Sequence, residues 1–134
     1  MDFKTTRLWR SALEPALGDS AGGRARERLR NAFLGFRDRA RLLAAEIPRD
    51  LPGLTVHDIT HLDALWETAE LVAGPDIQLT PPEAFVLGGA ILLHDLGMSV
   101  AAYPGGLEQL KTTRDWRDAV AALLRQRLNR FPSA

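Results

Sequence analysis

Apolar residues recur at steps of three and four through most of the chain, and no segment alternates apolar with polar as a half-buried strand would. The pattern predicts an all-α fold, a helical bundle of about five helices. Residues 7–17 read as a short first helix, broken by the glycine-rich GDSAGG at 18–23. The segment RARERLRNAFLGFRDRARLLAAEI, 24–47, sets Leu29, Phe33, Phe36, Ala40, Leu43 and Ile47 on one stripe. PRDLPG, 48–53, stops it.

The next helix is expected over about 56–72, with Thr55 and Asp58 spaced as a capping box and Gly74-Pro75 at its end. LTPPEAFVLGGAILLHDLGM then carries the strongest start signal: Thr80 as N-cap, Pro81 in the first helical position and Glu83 completing the box. This helix is apolar nearly all round, which predicts a central place, and Gly97 is its expected terminator. SVAAYPGG reads as a loop holding a helical turn. A last helix over 112–130 gathers Trp116, Val120, Leu123, Leu124 and Leu128 on its apolar face.

Composition narrows the picture. A chain of 134 residues, 46% hydrophobic, suits one domain with a real core. Lys+Arg and Asp+Glu balance at 17 each, so net charge singles out neither nucleic acid nor membrane as partner. The absence of cysteine excludes disulfides, thiolate zinc sites and cysteine nucleophiles. MDFKTTRLWR has no apolar core of a secretory signal, and the longest apolar run, AFVLGGAILL, is too short to span a bilayer. A soluble, cytoplasmic protein is expected.

All three histidines fall in two places. His57 and His61 are four apart, so on one helix they would share a face and hold a metal, or bind with one ring and position substrate with the other. A solvated His57 in the first turn fits the same spacing. His94-Asp95 ends an apolar helix, where burying titratable groups costs several kcal/mol unless they are paired, hydrogen-bonded or bound to metal. Imidazole and carboxylate suit a divalent transition ion; equally, the two could cap the helix end and the next turn. Seven arginines crowd residues 24–41, opposed by Glu27 and Asp38. That face suits nucleic acid or another phosphate-rich ligand, or is a solvated face whose aliphatic stems cover the core.

HDITH on one helix, then 32 residues, then HDLG at the end of the next resemble the HD superfamily of metal-dependent phosphohydrolases. The signature of that superfamily is a His, a His-Asp doublet and a distant Asp. His61, with Leu65 and Ala69 four and eight positions on, matches the first His; His94 and Asp95, in GGAILLHDLGM, match the doublet. The run from LTVHDITHL to LLHDLGMSVAAYPGG is similar to a subgroup with an extra upstream His, here His57, whose members often carry a chaperone-type ATP-binding domain. The resemblance covers about residues 54–106. It divides the chain into an N-terminal helical region, 1–53, and an HD-type region, 54–134, in one continuous domain.

The resemblance implies that His61, His94 and Asp95 hold one or two divalent ions (Mn, Fe, Ni, Co, Mg or Zn), with Asp95 bridging two. His57 and Asp95 would be the catalytic pair, His57 lying beside the ligands or on a substrate phosphate. Phosphomonoesters, phosphodiesters and nucleotides would be hydrolysed by a metal-activated water. An ATP-binding domain or a second copy is the implied protein partner. For the distant Asp the chain offers Asp115 and Asp118, 20 and 23 residues on, a short spacing for the superfamily. Both also read as first-turn acids favourable to the helix dipole. The expectation is an HD domain incomplete at its C-terminus, with a catalytically inactive interaction or regulatory module as the alternative.

Overall fold

The computed structural model describes residues 2–14, 20–53 and 56–130. Among these there is no strand. The helices are α1 (Arg7–Leu13), α2 (Ala21–Ala44), the single turn α3 (Ile47–Asp50), α4 (Ile59–Ala73), α5 (Pro81–Leu93), α6 (Gly106–Thr112) and α7 (Arg114–Arg130). Short 3-10 turns lie at Phe3–Thr5, Leu96–Met98 and Val100–Ala102. The fold is an all-α bundle, and no helix in the described residues is long and apolar enough to cross a membrane.

Local chemistry explains most boundaries and corrects several. Gly22 and Gly23 do not break the chain; they form the first turn of α2, which Ser20 caps by accepting the Gly23 N–H at 3.0 Å. The end of the expected 7–17 helix falls outside the described residues. Pro48 stops α2 early, because its ring has no N–H to donate and would clash with the Ala44 carbonyl. Ile47 is therefore buried from the separate turn α3 rather than from the end of the long stripe. The capping box of α5 is present as expected, with Thr80 and Glu83 each bonding the other's backbone. The expected 112–130 helix is divided at Thr113, whose hydroxyl accepts the Trp116 N–H at 3.2 Å, and a separate helix, α6, runs from the last residue of the expected SVAAYPGG loop to Thr112.

The core gathers four rings from four elements. Phe3, Trp9, Phe33 and Trp66 stand with centroids 4.9–6.2 Å apart, several pairs edge-to-face, the arrangement aromatic quadrupoles favour. The rings close on α5 at Gly88. A Cβ there would stand 2.4 Å from Phe33 and 2.6 Å from Trp66, so only glycine lets α5 approach this closely. The same core cluster draws on residues from Phe3 to Leu96, on both sides of residue 53.

Two polar links fix the helices relative to one another. Arg37 on α2 grips Asp63 on α4 through both nitrogens, Nε to Oδ1 at 2.8 Å and Nη2 to Oδ2 at 2.5 Å. This holds the guanidinium pKa above its ordinary value, and the group also stacks 5.2 Å over Phe3. At the other end of α4, Glu70 accepts the Arg7 N–H at the start of α1, while the Arg7 guanidinium donates to the Gly74 and Ile77 carbonyls. Gly74, at φ 72°, ends α4 at the expected place.

Gly88→Ala is expected to lower unfolding free energy by about 1–3 kcal/mol through overpacking. Gly35→Ala, in the open middle of α2 with nothing within 4 Å of its would-be Cβ, is expected to raise it by about 0.5–1 kcal/mol. Urea midpoints of the two variants should move in opposite directions.

Candidate metal centre

Asp95 stands where three histidines meet. Its Oδ2 lies 2.9 Å from His57 Nδ1, 3.3 Å from His61 Nε2 and 2.9 Å from His94 Nε2. His57, His61 and Asp95 each offer a ligand atom, and these atoms all lie within 4.8 Å of one another. Every site residue expected from HDITH and HDLG is thus gathered at one carboxylate oxygen.

The local backbone explains the convergence, and it is not quite the one expected. Asp58, not Thr55, caps α4; it accepts the Thr60 and His61 N–H groups at 2.9 and 3.2 Å and the Thr60 hydroxyl at 2.5 Å. Thr55 lies outside the described residues. With the cap at Asp58, His57 precedes the helix instead of sitting in its first turn. His57 and His61 therefore share no helical face; the extended cap residue turns the His57 ring back toward His61, centroids 5.3 Å apart. The Thr60 hydroxyl, followed by the His61 and Thr60 backbone N–H groups, holds the Asp58 carboxyl below its ordinary pKa.

On the other side, α5 ends at Leu93 with His94 as C-cap, four residues before the expected stop at Gly97. The His94 ring contributes to that ending: Nδ1 donates to the Ile91 carbonyl at 2.7 Å, satisfying one of the orphan acceptors of the last turn. Asp95 then leads into the Leu96–Met98 turn. Behind it, Asp50 on α3 accepts the Val100 N–H at 2.7 Å and the hydroxyl of the fully buried Ser99 at 3.1 Å. The Val100 bond leads in holding the Asp50 carboxyl below its ordinary pKa.

The donor set suits a divalent ion, and His94 shows why. A carbonyl oxygen only accepts, so the Ile91 bond places the proton on His94 Nδ1. In the neutral ring Nε2 is then a bare lone pair, 2.9 Å from a carboxylate oxygen that is also an acceptor. Two acceptors at that distance repel unless a proton or a cation lies between them. The ligand atoms that all lie within 4.8 Å of one another are those of His57, His61 and Asp95, and His94 joins them through Asp95 Oδ2 alone; imidazoles with a carboxylate favour first-row transition ions over calcium.

The sequence of this chain matches the model of the HD-CE family over residues 51–133. The chain belongs to the HD-CE family. Neither the curated proteins nor the solved structures give a match. The HD-CE region holds all four converging side chains, and its start coincides with the loop between α3 and His57.

Asp115 and Asp118 do not join the HD-CE cluster. Both are exposed near the start of α7, Asp115 in its first turn and Asp118 in its second, where it pairs with Arg114 at 3.4 Å. The arginines of α2 also divide: Arg37 is committed to Asp63, Arg30 lies 3.7 Å from Glu27, and Arg28, Arg39 and Arg41 face solvent. Sequence reasoning missed the Arg37–Asp63 pair and the Asp50 brace. The first left a signal, since Arg37 occupies a position of the buried Phe33–Ala40–Ala44 stripe and Asp63 sits between Leu62 and Trp66; a charge at such a place requires a partner.

The depressed Asp50 carboxyl contributes stability above its unfolded pKa of about 4, and that contribution is lost as pH falls through the lower folded value. Thermal midpoints measured from pH 6 down to pH 2 should therefore fall less steeply for Asp50→Asn than for the wild type.

Proposed function

We propose that this chain is an HD-type, metal-dependent phosphohydrolase domain. His61, His94 and Asp95 would hold the ion and His57 would handle a proton. The observation that carries the reading is the meeting of three imidazole nitrogens on Asp95 Oδ2, with the His94 lone pair directed at it. Bound there, a divalent ion would lower the pKa of a coordinated water and polarise a phosphoryl oxygen.

The chain's own groups supply the rest. Asp95 Oδ2 accepts the Nδ1 proton of His57, which fixes the ring and leaves Nε2 as the working atom. In the imidazolium form Nε2 donates to the departing alkoxide oxygen of a phosphate ester; in the neutral form it accepts a proton from water. The Ile91 carbonyl keeps His94 in the tautomer with Nε2 free for the ion, and Asp58 fixes the turn that carries His61. The substrate class is a phosphate mono- or diester, nucleotides included.

The purified protein is expected to bind one or two transition ions per chain, with His94→Ala weakening cobalt(II) uptake by about 10–100-fold. His57→Ala should keep the ion yet lose about 100-fold in hydrolysis of an aryl phosphate. A wild type that takes up no Mn, Fe, Ni, Co or Zn would end this reading. A catalytically inert HD-like module is the second reading, favoured by the outward, solvent-exposed place of Asp115 and Asp118. Metal uptake without turnover across monoester, diester and nucleotide substrates would select it.

A further inference from the structure

Two apolar faces have no cover among the described residues. The first is the outer side of the α4–α5 pair. A groove of about 360 Å³ runs there, lined by Leu65, Ala69, Val72, Leu87, Ala90 and Ile91, with His94 at the end nearest the metal centre. Val72 is 84% exposed. The second face is on α7, where Leu123, Leu124 and Leu128 are 56–70% exposed and Val120 is 38% exposed. Singly exposed leucines are ordinary, but contiguous patches of this kind mark interaction surfaces.

We propose that the chain forms a two-fold dimer in which α7 of each copy lies in the α4–α5 groove of its partner. The two faces match in chemistry. The groove is lined by aliphatic side chains with only Thr68 and His94 as polar members, and residues 119–124 of α7, AVAALL, are uncharged. Ala69 and Ala90 line the groove with small side chains, which leaves room for the leucines of a facing helix. The chain's own α7 is held elsewhere, since α6 is its packing partner and Thr113 joins and caps the two helices.

The area is also sufficient. At their fractional exposures, Val72 and the groove wall together with Val120, Leu123, Leu124 and Leu128 carry on the order of 600 Å² of apolar surface per copy, so reciprocal exchange would bury about 1,200 Å², the lower end of the range for specific interfaces. A two-fold axis satisfies both faces of both copies at once and leaves neither open to further growth.

The chain has no cysteine, so introduced ones report cleanly. Val72→Cys and Leu124→Cys chains, mixed in equal amounts and treated with a short bismaleimide, should give a cross-linked heterodimer, while each alone should stay uncross-linked. Self-linking of Val72→Cys would mean groove against groove, and self-linking of Leu124→Cys would mean α7 against α7; either overturns the proposal. So does a link within one chain of the double variant, a dimer that gives no mixed link, or a wild-type solution mass of 14.8 kDa. Leu124→Lys and Leu128→Lys, both at exposed positions and checked for unchanged helicity, should each raise the dimer dissociation constant about tenfold. A dimer that neither weakens also counts against it.

Discussion

The close approach of α5 to the aromatic cluster sets the geometry on which the candidate metal centre depends. Gly88 brings the α5 backbone to a distance from Phe33 and Trp66 that no side chain would permit. Ala84 and Leu92, one turn to either side, are buried in the same face. The helix therefore sits flush on α2 and α4, and six residues later it delivers His94 and Asp95 beside His61. A helix transmits a shift at one turn to the next almost undiminished, whereas ligand groups must be held within about 0.5 Å of their working positions. A packing constraint in the core thus acts as a positional constraint at the site.

The partner helix is constrained by charge instead. Asp63 lies two residues past His61, and its bidentate bond to Arg37 holds α4 against α2. Breaking such a part-buried pair from one side would leave a charge without its partner in a poor solvent for it, which makes alternative registers of α4 costly. The side chains are then set individually: His61 by the Asp58 cap of α4, His94 by its bond to the Ile91 carbonyl, and His57 by the 2.9 Å contact of its Nδ1 with Asp95 Oδ2. Asp50 braces the segment that follows Asp95. Each group in the cluster is oriented by another, the kind of support that a metal-ligating imidazole would need.

Much of this was legible in the chain. Helical class, the α5 capping box and the end of α4 at Gly74 all followed from short-range chemistry that sequence states directly, while the grouping of HDITH with HDLG rested on the resemblance to the HD superfamily. Misread features share a cause, in that they depend on which of two local options the tertiary fold selects. Thr55 and Asp58 both had the makings of a cap, and choosing Asp58 moved His57 off the helix. GDSAGG has the composition of a break, yet Ser20 followed by two glycines also makes a helix start. Gly97 suits a terminator, but the His94 ring reached the Ile91 carbonyl first. Arg37 looked like one more member of a basic face because its partner is 26 residues away, beyond any local pattern.

The composition of α5 bears on more than its core side. A helix apolar all round is stable only when most of its circumference is covered. In this fold Ala84, Gly88, Gly89, Ile91 and Leu92 are buried, while Val86, Ala90 and Leu93 look outward. The α7 stripe has the same imbalance. His94 belongs to both regions, lining the groove with one side of its ring while Nε2 faces Asp95. Its side chain is 41% exposed, against 13% for Asp95. Whatever covers the groove therefore lowers the local dielectric at His94 and strengthens its interaction with Asp95 or with a bound cation. Assembly and site chemistry are joined through one imidazole, because the same helix supplies the floor of the groove and the doublet at its end.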